Sequence, residues 1–151
     1  MGNSKELVKI ETVENIESRE SYKNLLGELK SILKSGQLRA YKAVDNIKVQ
    51  TYWQIGERIV REEFSNRDRA EYGKFLIKQL SKDLLIERQR LYEIVKFYRC
   101  FEIVRTVSGQ LSWNHYLELI RIENKHLREL YQAETIKGNW SVRELRLQLS
   151  V

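Results

Sequence analysis

The sequence predicts an all-α, multi-helix domain with a helix-turn-helix-like core, and three observations carry that prediction. The 151 residues include no proline, the residue most hostile to helix interiors. Leu, Glu, Lys and Arg, all good helix formers, are abundant throughout. Apolar residues recur at spacings of three and four, and no stretch sustains the alternation of a half-buried strand. The length suits one ordinary domain with a real core. Apolar residues at 42% against charged residues at 32% make a globular composition, not a disordered one.

Seven helices are expected. Residues 1–18 read as a polar leader, frayed or disordered or at most a short extra helix, and residues 19–151 as the helical domain. A first helix runs over about 19–34, with Tyr22, Leu25, Leu26, Leu29, Ile32 and Leu33 at helical spacing and Gly36 as its stop. A second covers about 37–63, with Tyr41, Val44, Ile47, Tyr52, Ile55 and Ile59 as its apolar stripe. Gly56 inside it costs about 1 kcal/mol of helix propensity, which points to a close approach of another helix. Asp68 with Glu71 three residues on resembles a capping box. It opens a third helix over about 70–83, with Leu76, Ile77, Leu80 and Leu84 turned inward.

A break near Leu85–Glu87 leads to a fourth helix over about 88–104, with Leu91, Ile94, Val95, Tyr98 and Phe101 toward the core. Ser112 caps a fifth that reaches Ile122, and Asn124 caps a sixth that reaches Lys137. Gly138 and Asn139 make the next turn. Ser141 with Glu144 is a capping box that starts the last helix.

Several chemistries are set aside by composition. The longest apolar runs, such as Leu84-Leu85-Ile86, fall far short of the ~20 residues of a spanning helix. The N-terminal segment has Glu6, Glu11 and Glu14 spread through it and no apolar signal core, so the cytoplasm is the default compartment. The single cysteine, Cys100, excludes an internal disulfide. With only His115 and His126 beside it, a four-ligand zinc site is equally hard to build. Neither a metal nor another cofactor is expected. Cys100 sits among aromatics and reads as a buried small hydrophobe. His115 reads as a surface or capping residue near a helix start, and Trp53, Trp113 and Trp140 as core packing.

The net charge of +6 is unevenly placed. Residues 1–36 are balanced, whereas residues 67–105 alone hold 10 basic and 6 acidic side chains. A basic surface favours polyanions through counterion release. The third and fourth helices, joined by a break of about three residues, have the outline of a helix-turn-helix, whose second helix reads the major groove. Lys74, Lys78 and Lys82 recur every four residues on the third helix, which suits phosphates. Arg88, Gln89, Tyr92 and Lys96 face outward on the fourth once its apolar stripe is turned in. Arg and Gln can read guanine and adenine edges through paired hydrogen bonds. Arg143 and Arg146 on the last helix are further candidate DNA contacts.

Several segments resemble the N-terminal helical domain of the YhcG family, bacterial proteins that join this domain to a C-terminal PD-(D/E)xK nuclease domain. They are Tyr52-Trp53-Gln54-Ile55-Gly56, Ala70-Glu71-Tyr72-Gly73, Leu76-Ile77-Lys78-Gln79-Leu80, Arg90-Leu91-Tyr92 with Phe97-Tyr98, Ser112-Trp113-Asn114-His115-Tyr116, and Trp140-Ser141-Val142-Arg143-Glu144-Leu145. They occur in family order over about 37–149. The sequence departs from the family pattern at the break. Leu85 stands where the family tends to have Gly, Glu87 where it tends to have Ser or Thr, and the Pro usual after the Phe-Tyr segment is absent. A carboxylate at 87 can still cap the helix.

The resemblance implies a DNA-binding or DNA-positioning module of a nuclease system, without catalytic residues in this chain. Its implied partners are DNA, a PD-(D/E)xK nuclease domain or subunit, and a second copy of the chain, since helix-turn-helix proteins commonly bind as symmetric dimers. The competing expectation is a protein-interaction or dimerisation module. Two Glu-x-Lys triplets, Glu28-Leu29-Lys30 and Glu123-Asn124-Lys125, fall in a helix and a turn. A nuclease would need clustered acids for a metal, normally displayed on a sheet.

Overall fold

Helix signals dominate this chain, and among the described residues they give six helices. The structure, a computed structural model, describes residues 3–65, 71–103 and 106–151, with side chains from residue 13 onward. The helices are α1 (Asn3–Ser65), α2 (Tyr72–Leu84), α3 (Arg88–Cys100), α4 (Trp113–Leu119), α5 (Lys125–Lys137) and α6 (Val142–Leu149). No strand occurs among the described residues. The chain divides into two compact units, Met1–Tyr41 and Lys42–Val151.

The first two expected helices are one. α1 is continuous over 63 residues, and residues 3–18, expected as a leader, lie within it. Gly36 does not stop it. A glycine ends a helix by adopting the left-handed conformation, and no described glycine has a positive φ. Gly36 instead sits in open space and costs only its weak propensity. In the first unit, Tyr22, Leu25, Leu29, Ile32 and Leu33 line one side of α1 as their spacing requires, and all are exposed.

In the second unit the core begins at Val49. Tyr41, Val44 and Ile47, expected in the apolar stripe of this stretch, are exposed; of these Tyr41 belongs to the first unit. Val49, Trp53 and Ile59 are buried, with Tyr52 and Ile55 packed beside them. Gly56 makes the close approach its position implied. A Cβ there would lie 2.7 Å from both the Ile94 carbonyl oxygen and the Tyr98 Cβ, so α3 rests directly on the backbone of α1.

Two apolar clusters flank this contact. The smaller joins Ile59 of α1, Ile77 of α2, and Leu91 and Val95 of α3. The larger is aromatic. Phe97 stands edge-on to Trp113, with ring centres 5.1 Å apart, and Phe101 edge-on to Tyr116 at the same separation. Trp53 packs edge-on against Tyr98 and donates its indole N–H to the Phe101 carbonyl at 2.7 Å. Phe97, not Tyr98, is the fully buried member of its pair. Tyr116 is buried with its hydroxyl accepting from the Ser108 N–H at 2.6 Å and donating to the Ser108 carbonyl. Burial pushes the Tyr116 phenol up to about 12, so it stays protonated for both bonds.

The short helices are placed by their ends. Ser112 caps α4, as expected, and its capping-box partner is His115. His115 Nδ1 accepts from the Ser112 N–H, which leaves Nε2 to donate to the Trp140 carbonyl at 2.8 Å. Asn124 caps α5, and Ser141 with Glu144 forms the capping box of α6. Between α5 and α6, Asn139 adopts the left-handed conformation (φ 50°). The Trp140 N–H then returns to the Thr135 carbonyl and the Asn139 N–H to that of Ile136, a Schellman closure. The fifth expected helix is shorter than its pattern, ending at Leu119. Cys100 is half-buried against the aromatic cluster, and burial pushes its thiol up.

Two of the three glycines inside α1, Gly56 and Gly36, should respond oppositely to a methyl group. Gly56→Ala is expected to lose about 1–2 kcal/mol, because overpacking against α3 exceeds the gain in helix propensity. Gly36→Ala, in open space, should gain up to ~1 kcal/mol. Thermal melts followed by circular dichroism check both signs.

Candidate nucleic-acid interface

α2 and α3 are each 13 residues long and are joined by Leu85, Ile86 and Glu87. The turn is built without glycine. Leu85 itself takes the left-handed conformation (φ 56°, ψ 40°) at the C-cap of α2, a choice that costs a non-glycine residue roughly 1–2 kcal/mol. Its side chain is 91% exposed, so the position is occupied for backbone shape and not for packing. The Ser81 hydroxyl donates to the Ile86 carbonyl at 2.5 Å and braces the turn. Leu84, expected inward, is exposed because the chain reverses immediately after it.

Glu87 is the N-cap residue of α3 but makes no side-chain cap bond, contrary to the expectation that its carboxylate would serve. The extra methylene of Glu relative to Asp carries the carboxylate past the N2 and N3 amides that an N-cap group must reach. The start of α2 likewise has no side-chain cap bond from Glu71, and Asp68 lies outside the described residues.

Lys74, Lys78 and Lys82 are exposed on α2, and among the described residues none enters an ion pair. On α3, Arg88, Gln89 and Tyr92 are exposed on the side opposite Leu91 and Ile94. Arg90 is exposed too, but two residues on from Arg88 it projects from a different side of α3. It was not singled out from the sequence, although the Arg-x-Arg spacing at 88 and 90 was a visible signal. Lys96 is half-buried and pairs with Glu123 at 3.3 Å.

α6 divides the last two candidates. Arg143 is exposed, with no ion pair among the described residues. Arg146 reaches Glu118 of α4, with Nε and Nη2 at 3.0 and 2.9 Å from one carboxylate oxygen. Arg121 stands 3.6 Å from the other oxygen. Glu118 is buried, so Arg146 does structural work in joining α6 to α4. Sequence reasoning missed Glu118 because its partner is 28 residues away.

Among the described residues, no group of three His, Cys, Asp or Glu side chains could hold a metal ion. Of the two Glu-x-Lys triplets, the first lies within α1 and the second straddles the start of α5, with Glu123 engaged by Lys96. No helix among the described residues is long and apolar enough to cross a membrane.

If Arg146 acts by holding Glu118, Arg146→Ala should cost about 1.5–3 kcal/mol, because a buried carboxylate loses a charged donor. Arg143→Ala should stay within about 0.5 kcal/mol, as for other unengaged surface sites. Urea denaturation of the two variants gives the comparison.

Three comparisons with known proteins bear on this arrangement. No solved structure matches the chain. The chain is 30% identical over 157 aligned positions to a protein of Escherichia coli (strain K12) named "Putative nuclease YhcG". That alignment covers 79% of this chain and 42% of the relative, so the chain spans about two fifths of the relative's length. The family model of the DUF1016 N-terminal domain matches residues 28–151, which include α2 to α6 and the larger part of α1. The chain therefore belongs to the DUF1016 N-terminal domain family, the helical domain of YhcG-type proteins.

Proposed function

We propose that this chain is a DNA-binding or DNA-positioning module of a nuclease system, with α2 and α3 acting as a helix-turn-helix and with no catalytic site of its own. The observation that carries the reading is the outward side of α3. Arg88, Gln89 and Tyr92 are exposed there together, on a helix seated in the core by Leu91, Ile94 and Phe97. Such a helix can enter a major groove without disturbing the core. Lys74, Lys78 and Lys82 on the preceding helix supply phosphate contacts. Arg143 contributes a further cation from α6. Lys96 and Arg146 are the weakest members of the set, since each is already engaged by a carboxylate.

The name of the E. coli relative supports a nuclease context, and this chain would deliver DNA to a PD-(D/E)xK domain or subunit in the cytoplasm.

Duplex binding followed by fluorescence anisotropy tests the reading. Lys74→Glu, Lys78→Glu and Lys82→Glu together should abolish binding while leaving helicity intact. Affinity of the parent chain should fall steeply with salt, by a slope of roughly 0.9 per phosphate contacted. Unchanged binding by the triple variant removes α2 from the interface. The reading itself fails if the parent chain binds no duplex at low salt.

A second measurement separates readout from attraction. Arg88→Ala with Gln89→Ala should reduce the preference among duplex sequences, by about 1–3 kcal/mol per lost base contact, more than it reduces general affinity. Equal losses on every sequence would make both residues phosphate contacts.

A further inference from the structure

The first unit, Met1–Tyr41, presents an apolar side that nothing within that unit covers. Tyr22, Leu25, Leu29, Ile32 and Leu33 lie along it, each between 47% and 64% exposed. Gly36 and Ala40 continue the same side with small residues. The spacing 22, 25, 29, 32, 36 alternates three and four, the heptad pattern of a pairing helix. From Tyr22 to Ala40 the stripe runs roughly 27 Å at 1.5 Å per residue. Helices in water owe most of their stability to packing such a side, not to propensity. A contiguous exposed apolar surface of this kind marks an interaction site.

The charges beside the stripe identify what covers it. By helical position, Glu14 and Glu28 flank one edge directly with Glu17 farther out, and Arg19 flanks the other with Lys23 and Lys30 farther out. Continuing the alternation three residues past Gly36 sets one cation, Arg39, in the stripe at its C-terminal end. A second identical helix set parallel, related by a two-fold axis along its length, places the acidic edge of each copy against the basic edge of the other. An antiparallel copy would set acid against acid and base against base. The edges thus complement a parallel copy of the same segment, as the flanking charges of a parallel coiled coil do. Such a pairing is isologous and closes at two chains.

We propose that the N-terminal part of α1 is a parallel dimerisation segment that packs its Tyr22-to-Ala40 side against a second copy of this chain. The pairing does not depend on the DNA reading, because α2 and α3 lie in the second unit.

Sedimentation of the full chain, without DNA, is the first test. The parent chain should be dimeric at tens of micromolar, and Leu25→Glu with Ile32→Glu should be monomeric. Trp53, Trp113 and Trp140 all belong to the second unit, so unchanged tryptophan fluorescence certifies that the variant is still folded there. Orientation is read by cross-linking in a Cys100→Ser background. Ser18→Cys alone and Ala40→Cys alone should each oxidise to covalent dimers. Cross-links formed only when the two variants are mixed would mean antiparallel pairing and would overturn the proposal.

Charge reversal completes the test. Glu14, Glu17 and Glu28 changed to Lys should weaken self-association about tenfold. Arg19, Lys23 and Lys30 changed to Glu should do the same, and an equimolar mixture of the two variants should recover it. A monomeric parent chain, or association indifferent to both reversals, sinks the proposal. Duplex affinity, measured separately, would stand or fall by itself.

Discussion

The second unit depends on one place where two backbones meet. At Gly56 there is no side chain between α1 and α3, and the Ile94 carbonyl and Tyr98 Cβ occupy the space a Cβ would take. Bringing the helices this close lets side chains on both flanks of the contact interlock. On one flank Ile59, Ile77, Leu91 and Val95 close a small aliphatic cluster. On the other, Trp53 reaches the end of α3 and bonds the Phe101 carbonyl. That indole bond satisfies an acceptor at the frayed end of the helix, where the ladder has run out. Any larger residue at 56 would push these groups apart, and dense interiors accommodate such shifts poorly.

From that contact the position of α3 follows, and with it the division between its two sides. Leu91, Ile94, Val95 and Phe97 are committed to the core. The residues left over, Arg88, Gln89, Tyr92 and Arg99, are outside. Arg99 is tied to Glu63 of α1 at 2.8 Å, which leaves the N-terminal end of α3 as its least engaged part. The strained turn at Leu85 serves the same arrangement. It reverses the chain in three residues with a left-handed conformation that glycine would adopt freely. The proposed DNA reading requires such a firmly seated helix, because paired hydrogen bonds to base edges tolerate little misplacement.

The remaining helices act as a buttress. α4 is held at its start by Ser112 and His115, and by the Asp45 carboxylate accepting from the Trp113 N–H at 3.3 Å. His115 extends this to the α5–α6 turn through Trp140, while Glu118 takes Arg146 of α6. Gly138 lies flat against the Trp140 indole, where a Cβ would fall 2.5 Å from its nitrogen. Ser112, His115, Trp140 and Arg146 are therefore joints between helices.

Much of the fold was legible from residues close together in the chain. The caps Ser112, Asn124 and Ser141 were readable because a cap bond spans only three residues. Gly56 was readable because a helix interior rarely spends a glycine without return. The all-helical class followed from proline absence and periodicity, which are local properties too. What the tertiary structure alone decided concerns distant pairs. Whether Phe97 or Tyr98 is buried, and whether Arg146 is free or bound to Glu118, depend on which elements come to rest against one another. Packing free energy decides those outcomes, and it belongs to contacts between residues tens of positions apart that no local pattern encodes.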